Sequence, residues 1–333
     1  MKISLFSPQS IYEIGQRANQ EDSVGQWDSR LFVLCDGMGG HEKGEVASQT
    51  VCQSLVTWFE EHINPEEPFT DEQLRSAIDY AYTEIDQYAN GSPRQMGTTL
   101  TLLYIHRQGV TAAHIGDSRI YHIRPNSSRE VRKGVNEGVL YQSRDHSLAF
   151  DLYQAGVITY EGMLSYPRKN VITRAVTPGK ENRHRPDIIH VTDIQPGDYF
   201  FMCSDGMVEQ MSNDELVAIL SSGKSDEEKR QLLIAATANN QDNHSAWVIH
   251  VKDVVSEDYD MTLENEEPTA RCNAIKIKPK PIVNDDVQIA DDNDVVMVSA
   301  PKLLKKRFLL RPIAYVAIAV LLALLAVWFF FHA

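Results

Sequence analysis

The chain has 333 residues, with 32 Lys and Arg against 46 Asp and Glu and a net charge of −14. This length suits one large domain with appendages, and the acidic balance argues against nucleic acid as a partner, because phosphate backbones select for Lys and Arg. Hydrophobic residues make up 43% of the chain, which supports a buried core and excludes full-length disorder and fibrous repeats.

The N-terminus has no signal-peptide pattern, since no uninterrupted apolar stretch and small-residue cleavage site follow Lys2. Over 1–252 strand and helix patterns then alternate. The run at 31–35 reads as a strand, followed by helices at 44–61 and 71–88, the second opened by the capping-box pair Thr70 and Gln73. Strands are expected at 99–105, 110–115, 119–123, 187–191, 199–203 and 246–251. Helices are expected at 213–220 and 226–239, with Ser212 and Glu215, and Ser225 and Glu228, at capping-box spacing. Several strands lie only a few residues apart, which favours antiparallel hairpins over crossovers. Cys35, Cys52, Cys203 and Cys272 show no CxxC or His-interleaved spacing, so they read as reduced buried thiols, not as a disulfide framework or a zinc site.

Past the expected domain the composition changes. Residues 253–300 hold twelve acidic against four basic residues, with Pro268, Pro279 and Pro281 among them, and read as a disordered acidic linker. Residues 301–312 carry five basic side chains (Lys302, Lys305, Lys306, Arg307 and Arg311) and form a juxtamembrane segment. Residues 313–331 contain no charge, and as a helix would span about 28 Å, enough for a bilayer core. Tyr315 and Trp328 sit near the ends of this run, and the basic flank on its N-terminal side places that side in the cytoplasm. The expectation is a single-pass C-terminal transmembrane helix in the inner (cytoplasmic) membrane. The run has no GxxxG pattern to suggest helix pairing.

The chemistry is carried by acidic residues at the ends of apolar runs. Asp36 follows LFVLC and opens DGMGGH, and Asp205 follows YFFMC in the same way. Each carboxylate emerges at a strand end, Asp36 into a loop, next to glycine that permits close ligand approach. Asp117 lies between two strands in AHIGDSR, Asp242 with Asn243 precedes the last strand, and Glu21 with Asp22 precedes the first long one. Taken alone, Asp117 reads as a hairpin turn residue and Arg17 as a surface arginine. Taken together, the carboxylates suit a pair of hard divalent cations, Mg²⁺ or Mn²⁺, and Arg17 offers the forked donor that a phosphoryl group needs beside them.

The segments RANQED (17–22), LCDGMGGHEKGE (34–45), MGTTL (96–100), AHIGDSRIY (113–121), RDHS (144–147), NVITRAV (170–176), CSDGM (203–207) and DNHSA (242–246) resemble, in order and spacing, the motifs of the bacterial branch of the metal-dependent PP2C (PPM) serine/threonine phosphatases. The resemblance covers about residues 8–251 and implies an α+β fold, an αββα sandwich of two antiparallel sheets flanked by helices with a metal cleft at one end. It implies that Asp36 bridges two Mn²⁺ or Mg²⁺ ions and that the Gly37 carbonyl binds one of them. Asp205 and Asp242 would complete the pair. Glu21 and Asp22 would ligate metal or orient its water, Asp117 with Asp205 would hold a third and weaker metal, and Arg17 would bind phosphate. A water bridging the metals would attack phosphorus in line, which makes Arg17, Asp36 and Asp205 the catalytic set. No cysteine lies in a CxxxxxR phosphate loop, which argues against a cysteine phosphatase.

Two departures from the family pattern stand out. Met38 occupies the position where many eukaryotic members carry a histidine proposed as general acid, and His41 reads chiefly as a structural loop residue. His244 and Ala246 replace small or β-branched residues in DNHSA. The segment QAGVITYEGMLSYPRK (154–169) resembles the mobile flap of bacterial members. The expected partners are proteins phosphorylated on Ser or Thr, a cognate eukaryotic-like Ser/Thr kinase, and the membrane through the C-terminal helix, at a machine such as a secretion system. A catalytically silent phosphoprotein-binding module and a partner-switching phosphatase are the competing readings. The first is disfavoured by the retention of Asp36, Asp205 and Asp242, and the second by the lack of a sensory segment before the phosphatase motifs.

Overall fold

The computed structural model describes residues 1–39, 43–89, 96–125, 137–168 and 170–255. The chain divides into Met1–Thr262 and Leu263–Ala333, and all described residues belong to the first unit. The linker beyond residue 255, the basic segment 301–312, the apolar run 313–331 and His41 lie outside the described residues. Among those described, no helix is long and apolar enough to cross a membrane.

In chain order the elements are β1 (Lys2–Leu5), β2 (Gln9–Glu13), β3 (Asp22–Trp27), β4 (Leu31–Met38), α1 (Lys43–His62), α2 (Asp71–Ala89), β5 (Gly97–Thr98), β6 (Leu100–His106), β7 (Gly109–Ile115), β8 (Arg119–Ile123), β9 (Val139–Gln142), α3 (Leu148–Gln154), α4 (Tyr160–Leu164), β10 (Asp187–Val191), β11 (Tyr199–Cys203), α5 (Asp205–Gln210), α6 (Asn213–Ser221), α7 (Asp226–Thr237) and β12 (His244–Val255). One sheet runs β1-β12-β11-β8-β9, with β2 also on β12; the other runs β10-β7-β6-β4-β3, with β5 on β4. Every pairing between these strands is antiparallel.

The central strands are apolar on both faces, and their period of two sorts side chains into separate layers. On β4, Leu31, Val33 and Cys35 pack with α1 and α2, while Phe32 and Leu34 face the other sheet. On β11, Tyr199, Phe201 and Cys203 pack beneath α5–α7, while Phe200 and Met202 turn inward. The sheets therefore share an inner layer, and helices cover both outer faces, giving the four-layer α+β sandwich. Trp247 pins this layer: its indole N–H donates to the Val33 carbonyl of the opposite sheet at 3.0 Å, and its ring meets Phe32 edge-on at 5.3 Å.

The helix starts follow their capping chemistry. Ser225 and Glu228 form a full reciprocal capping box, Thr70 and Gln73 exchange the same pair of bonds, and the Ser212 hydroxyl accepts from Glu215 N–H. Strands β1, β2, β3, β5 and β9 were not legible from alternation. β3 is short and polar, and it carries Gly25, where a Cβ would lie 2.8 Å from the Cys52 sulfur; helix α1 packs directly on its backbone.

Candidate active site

The acidic residues converge at one end of the sandwich because chain exits from both sheets meet there. Asp22 and Asp36 face each other across the β3–β4 ladder. Contrary to the sequence expectation, Asp36 does not begin a loop: β4 continues to Met38, where Gly37 and Met38 pair with Thr98 and Gly97. Asp205 forms the first turn of α5, directly after β11. Asp117 lies in the three-residue passage from β7 in one sheet to β8 in the other, and Asp242 lies in the turn between α7 and β12. Glu21, Asp22, Asp36, Gly37, Asp117, Asp205 and Asp242 thus all map to this end of the fold.

The backbone around Asp36 is fully held. Its N–H donates to Thr99 Oγ1 (2.9 Å), and its carbonyl accepts from Thr99 N–H (2.8 Å) and Thr98 Oγ1 (2.9 Å). The MGTTL segment is therefore a brace for the aspartate. Gly37 N–H donates to the Glu21 carbonyl at 2.9 Å, and Glu21 N–H donates to Asn243 Oδ1 at 2.8 Å. The Asn243 amide donates in turn to the carbonyls of Ile14 and Asn19, so one buried Asn ties together the acidic segments at 21 and 242. A Cβ at Gly37 would lie 2.1 Å from the Gly44 carbonyl oxygen and 2.6 Å from that of Glu21. Gly37→Ala is accordingly expected to lower stability by about 2 kcal/mol or more, as backbone must move to admit the methyl; thermal unfolding of the purified variant checks this.

Ser204 precedes α5 in the N-cap position but does not cap it. Its hydroxyl donates to Asp22 Oδ2 at 2.9 Å and accepts from Ser245 N–H at 3.0 Å. Sequence reasoning missed this residue as an orienter of Asp22. The signal was faint: a Ser before each SDG-type turn is ordinary, and its partner lies 182 positions away.

The electrostatics are those of crowded anions. Burial, followed by repulsion from Asp205 and Asp242, raises the Asp22 carboxyl to about 7 despite the Ser204 bond. Burial and the Asp205 charge raise Asp117 to about 8. Burial, then Glu209 and Asp242, raises Asp205 to about 6, and burial plus the Asp22 and Asp205 charges holds Asp36 well above its ordinary value. Asp22 Oδ1 and Asp117 Oδ1 are buried without any hydrogen-bond partner. Unpartnered buried carboxylate oxygens among mutually repelling carboxylates are the donor set of a hard divalent cation, so the residues present fit Mg²⁺ or Mn²⁺. Arg17 donates from Nη2 to Asp242 Oδ2 at 2.6 Å and is half exposed. The arginine expected to hold phosphate therefore stands at the rim of the cluster, already paired to one of its acids.

Among the described residues a second trio, His114, His146 and Asp187, brings three potential ligand atoms within 4.8 Å of one another. Its protons do not suit a cation. His114 Nε2–H donates to the Arg144 carbonyl, and His146 Nδ1 accepts from Gly116 N–H. The His146 proton is thereby left on Nε2, the atom facing Asp187, and Arg174 lies 3.3 Å from the same nitrogen. This is a hydrogen-bond network, distinct from the carboxylate cluster. Met38 ends β4 beside Gly97, and His244 is buried with Nδ1 donating to the Asp242 carbonyl at 3.1 Å. That histidine accommodates the DNHSA turn without displacing Asp242. The 154–169 segment takes in the last residue of α3 and all of α4, the two helices being capped by Ser147 and Thr159, and it exposes Val157, Tyr160 and Leu164.

The family profile described as protein phosphatase 2C matches residues 13–233. Protein phosphatase PhpP of Streptococcus pneumoniae is 31% identical over 267 residues, 76% of this chain and 98% of that protein. The catalytic domain of the phosphatase PstP, crystallised with two manganese ions, superposes with a TM-score of 0.59 at 29% identity, covering 74% of this chain and 98% of that one. PppA of Pseudomonas aeruginosa, described as a key regulatory component of its T6SS, superposes with a TM-score of 0.58 at 28% identity over 75% of this chain and 99% of that one. The sandwich with acids at one end thus defines a phosphomonoester hydrolase fold, and the chain belongs to the protein phosphatase 2C family of serine/threonine protein phosphatases.

Proposed function

We propose that this phosphatase hydrolyses phosphoserine and phosphothreonine in proteins with a divalent-cation pair held by Asp36, the Gly37 carbonyl, Asp205 and Asp242, with Glu21 and Asp22 as further ligands or water orienters. Asp117 with Asp205 would hold a third, weaker ion. The carrying observation is the cluster of acids with raised pKa values in which Asp22 Oδ1 and Asp117 Oδ1 have no partner. The PstP structure with two manganese ions supports the same cation class.

When bound, the cations supply a water acidic enough to act as nucleophile near neutral pH and neutralise charge on the phosphoryl oxygens. The chain contributes the positioning. Thr98 and Thr99 fix the Asp36 peptide, Ser204 sets the rotamer of Asp22, and Asn243 locks the Glu21 backbone to the Asp242 turn. Arg17 offers a forked donor to the phosphoryl oxygens at the rim. Asp242 keeps this guanidinium at the cleft and raises its pKa further through their hydrogen bond, so it stays cationic at every working pH.

We further propose that residues 313–331 anchor the chain in the inner membrane with the catalytic unit in the cytoplasm, where it opposes a Ser/Thr kinase. The uncharged run with five basic residues before it supports the anchor, and the likeness to PppA supports work at a membrane-bound machine. The test is phosphate release from a phosphothreonine peptide by the full chain, with and without Mn²⁺. Release that requires Mn²⁺ is expected, with Arg17→Ala raising KM about 10-fold to 100-fold and Arg17→Lys recovering part of the loss. Absence of release from folded, Mn²⁺-loaded protein would sink the enzyme reading in favour of a silent phosphoprotein-binding module.

A further inference from the structure

The RDHS segment runs beside the 113–119 passage like a zipper. The Arg144 carbonyl accepts from His114 Nε2–H at 2.8 Å, and Asp145 takes Arg119 in a two-point contact at 2.8 and 2.6 Å. His146 grips Gly116 at both of its polar backbone atoms: His146 N–H donates to the Gly116 carbonyl (2.9 Å), and Gly116 N–H donates to the ring Nδ1 (3.1 Å). Gly116 has φ +112°, and a Cβ there would lie 2.6 Å from the Thr99 methyl, so this peptide has little freedom to do anything else. On the far side of Asp117, Ser118 Oγ meets Thr99 Oγ1 at 2.7 Å, and that hydroxyl also accepts from Asp36 N–H. Asp117 thus hangs between a peptide held by His146 and a hydroxyl pair that reaches Asp36.

The same histidine stands at the base of the 148–171 excursion. Its carbonyl accepts from Thr173 N–H (2.8 Å), Ser147 bridges Ile172, and Leu148 N–H donates to the Val171 carbonyl (2.8 Å). The residue is buried, and its ring stacks on His114 at 4.7 Å and directs Nε2–H at Asp187, which Arg174 braces at 3.2 Å.

We propose that His146 is a positioning residue: by holding both backbone atoms of Gly116 it aims the Asp117 carboxylate into the cleft and couples that aim to the base of the 148–171 segment. The inference rests on the reading of Asp117 as ligand of the weakest cation. It requires the neutral imidazole with Nδ1 as acceptor, a role that Asn fills with Oδ1 and Phe cannot fill.

The test is calorimetric titration of the full-length protein with Mn²⁺, in wild type, Asp117→Asn, His146→Phe and His146→Asn. Asp117→Asn should remove the weakest class of Mn²⁺ binding. His146→Phe, which keeps an aromatic ring against His114, should weaken that class about tenfold and leave the tighter sites alone, while His146→Asn stays close to wild type. Amide hydrogen exchange on metal-free protein gives a second readout, with Gly116 N–H protected in wild type and His146→Asn and exposed in His146→Phe. If His146→Phe does not fold, His146→Ala gives the same comparison. A weak site lost in Asp117→Asn but untouched in His146→Phe would overturn the role of His146 alone, as would equal impairment of the Phe and Asn variants. Unaltered binding in Asp117→Asn would overturn the ligand reading beneath it, and the proposal with it.

Discussion

Phosphate release from a phosphothreonine peptide is expected to fall about a thousandfold or more in Asp36→Asn, since the variant removes charge from the point where both cations are proposed to meet. The same substitution should make the metal-free protein more stable. Asp36 is held well above its ordinary pKa first by burial and then by the charges of Asp22, Asp205, Asp117 and Asp242, so its ionised form works against the fold. An amide of the same shape keeps the Thr98 and Thr99 bonds, which go to the backbone of residue 36 and not to its side chain. A merely structural aspartate would lose stability together with activity. Parallel assays of turnover and thermal unfolding in chelator separate the two. An active Asp36→Asn enzyme, or one destabilised without metal, would contradict the proposed role.

This stored repulsion explains why the site is braced so heavily from outside. None of Thr98, Thr99, Ser204 and Asn243 is a proposed ligand, yet each fixes a segment that carries one, and each is buried. Carboxylates pressed together in a medium of low polarity would separate if their backbones could move. The bonds from Asn243 to Ile14, Asn19 and Glu21 keep the N-terminal segment, with Arg17 on it, against the Asp242 turn. Preorganisation of this kind leaves the cations little rearrangement to drive when they bind.

How much of this was legible in the sequence depended on the range of the forces involved. The two-faced apolar runs of β4 and β11 announced themselves, because alternate side chains serve different buried layers and neither face can be polar. The helix starts at 71, 213 and 226 were legible because a cap is a bond over three residues. β1 and β2 were not, since their strand character comes from pairing with β12, more than 200 positions away, and their own alternation is weak. The acids were found by their place after apolar runs and by resemblance. Ser204, Thr99 and His146 were passed over as supports because their value lies in partners that only the folded chain brings near. Asp36 was expected in a loop, as DGMGG invites that reading. The two-residue strand β5 extends the ladder past it, and this gives the carboxylate a fixed direction that a glycine loop would not.

Between pH 6.5 and 8.5, chelator-treated protein should lose on the order of 2–3 kcal/mol of stability, a fall in Tm of about 5–10 °C. The native state retains protons on Asp22 up to about pH 7 and on Asp117 up to about pH 8, whereas the unfolded chain has released them by about pH 5. Across this window the folded form therefore binds more protons, and stability declines as pH rises. The histidines that burial holds below their ordinary value, His106, His114, His146 and His184, act in the opposite sense, but only below about pH 6.5, where the unfolded chain takes up protons that they refuse. The acid held low by Arg124 and His122, Asp198 at about 2, contributes stability that is lost only on acidification below about pH 4. Saturating Mn²⁺ should reverse the trend between 6.5 and 8.5, because cation and proton compete for the same oxygens and the cation gains as pH rises. Asp117→Asn should flatten the metal-free decline by removing a group that titrates within the window. Thermal unfolding at three pH values, in chelator and in Mn²⁺, reads all of this. A metal-free protein whose Tm is level or rising from pH 6.5 to 8.5 would mean that the carboxylates share no buried charge and that the cation site has been misplaced.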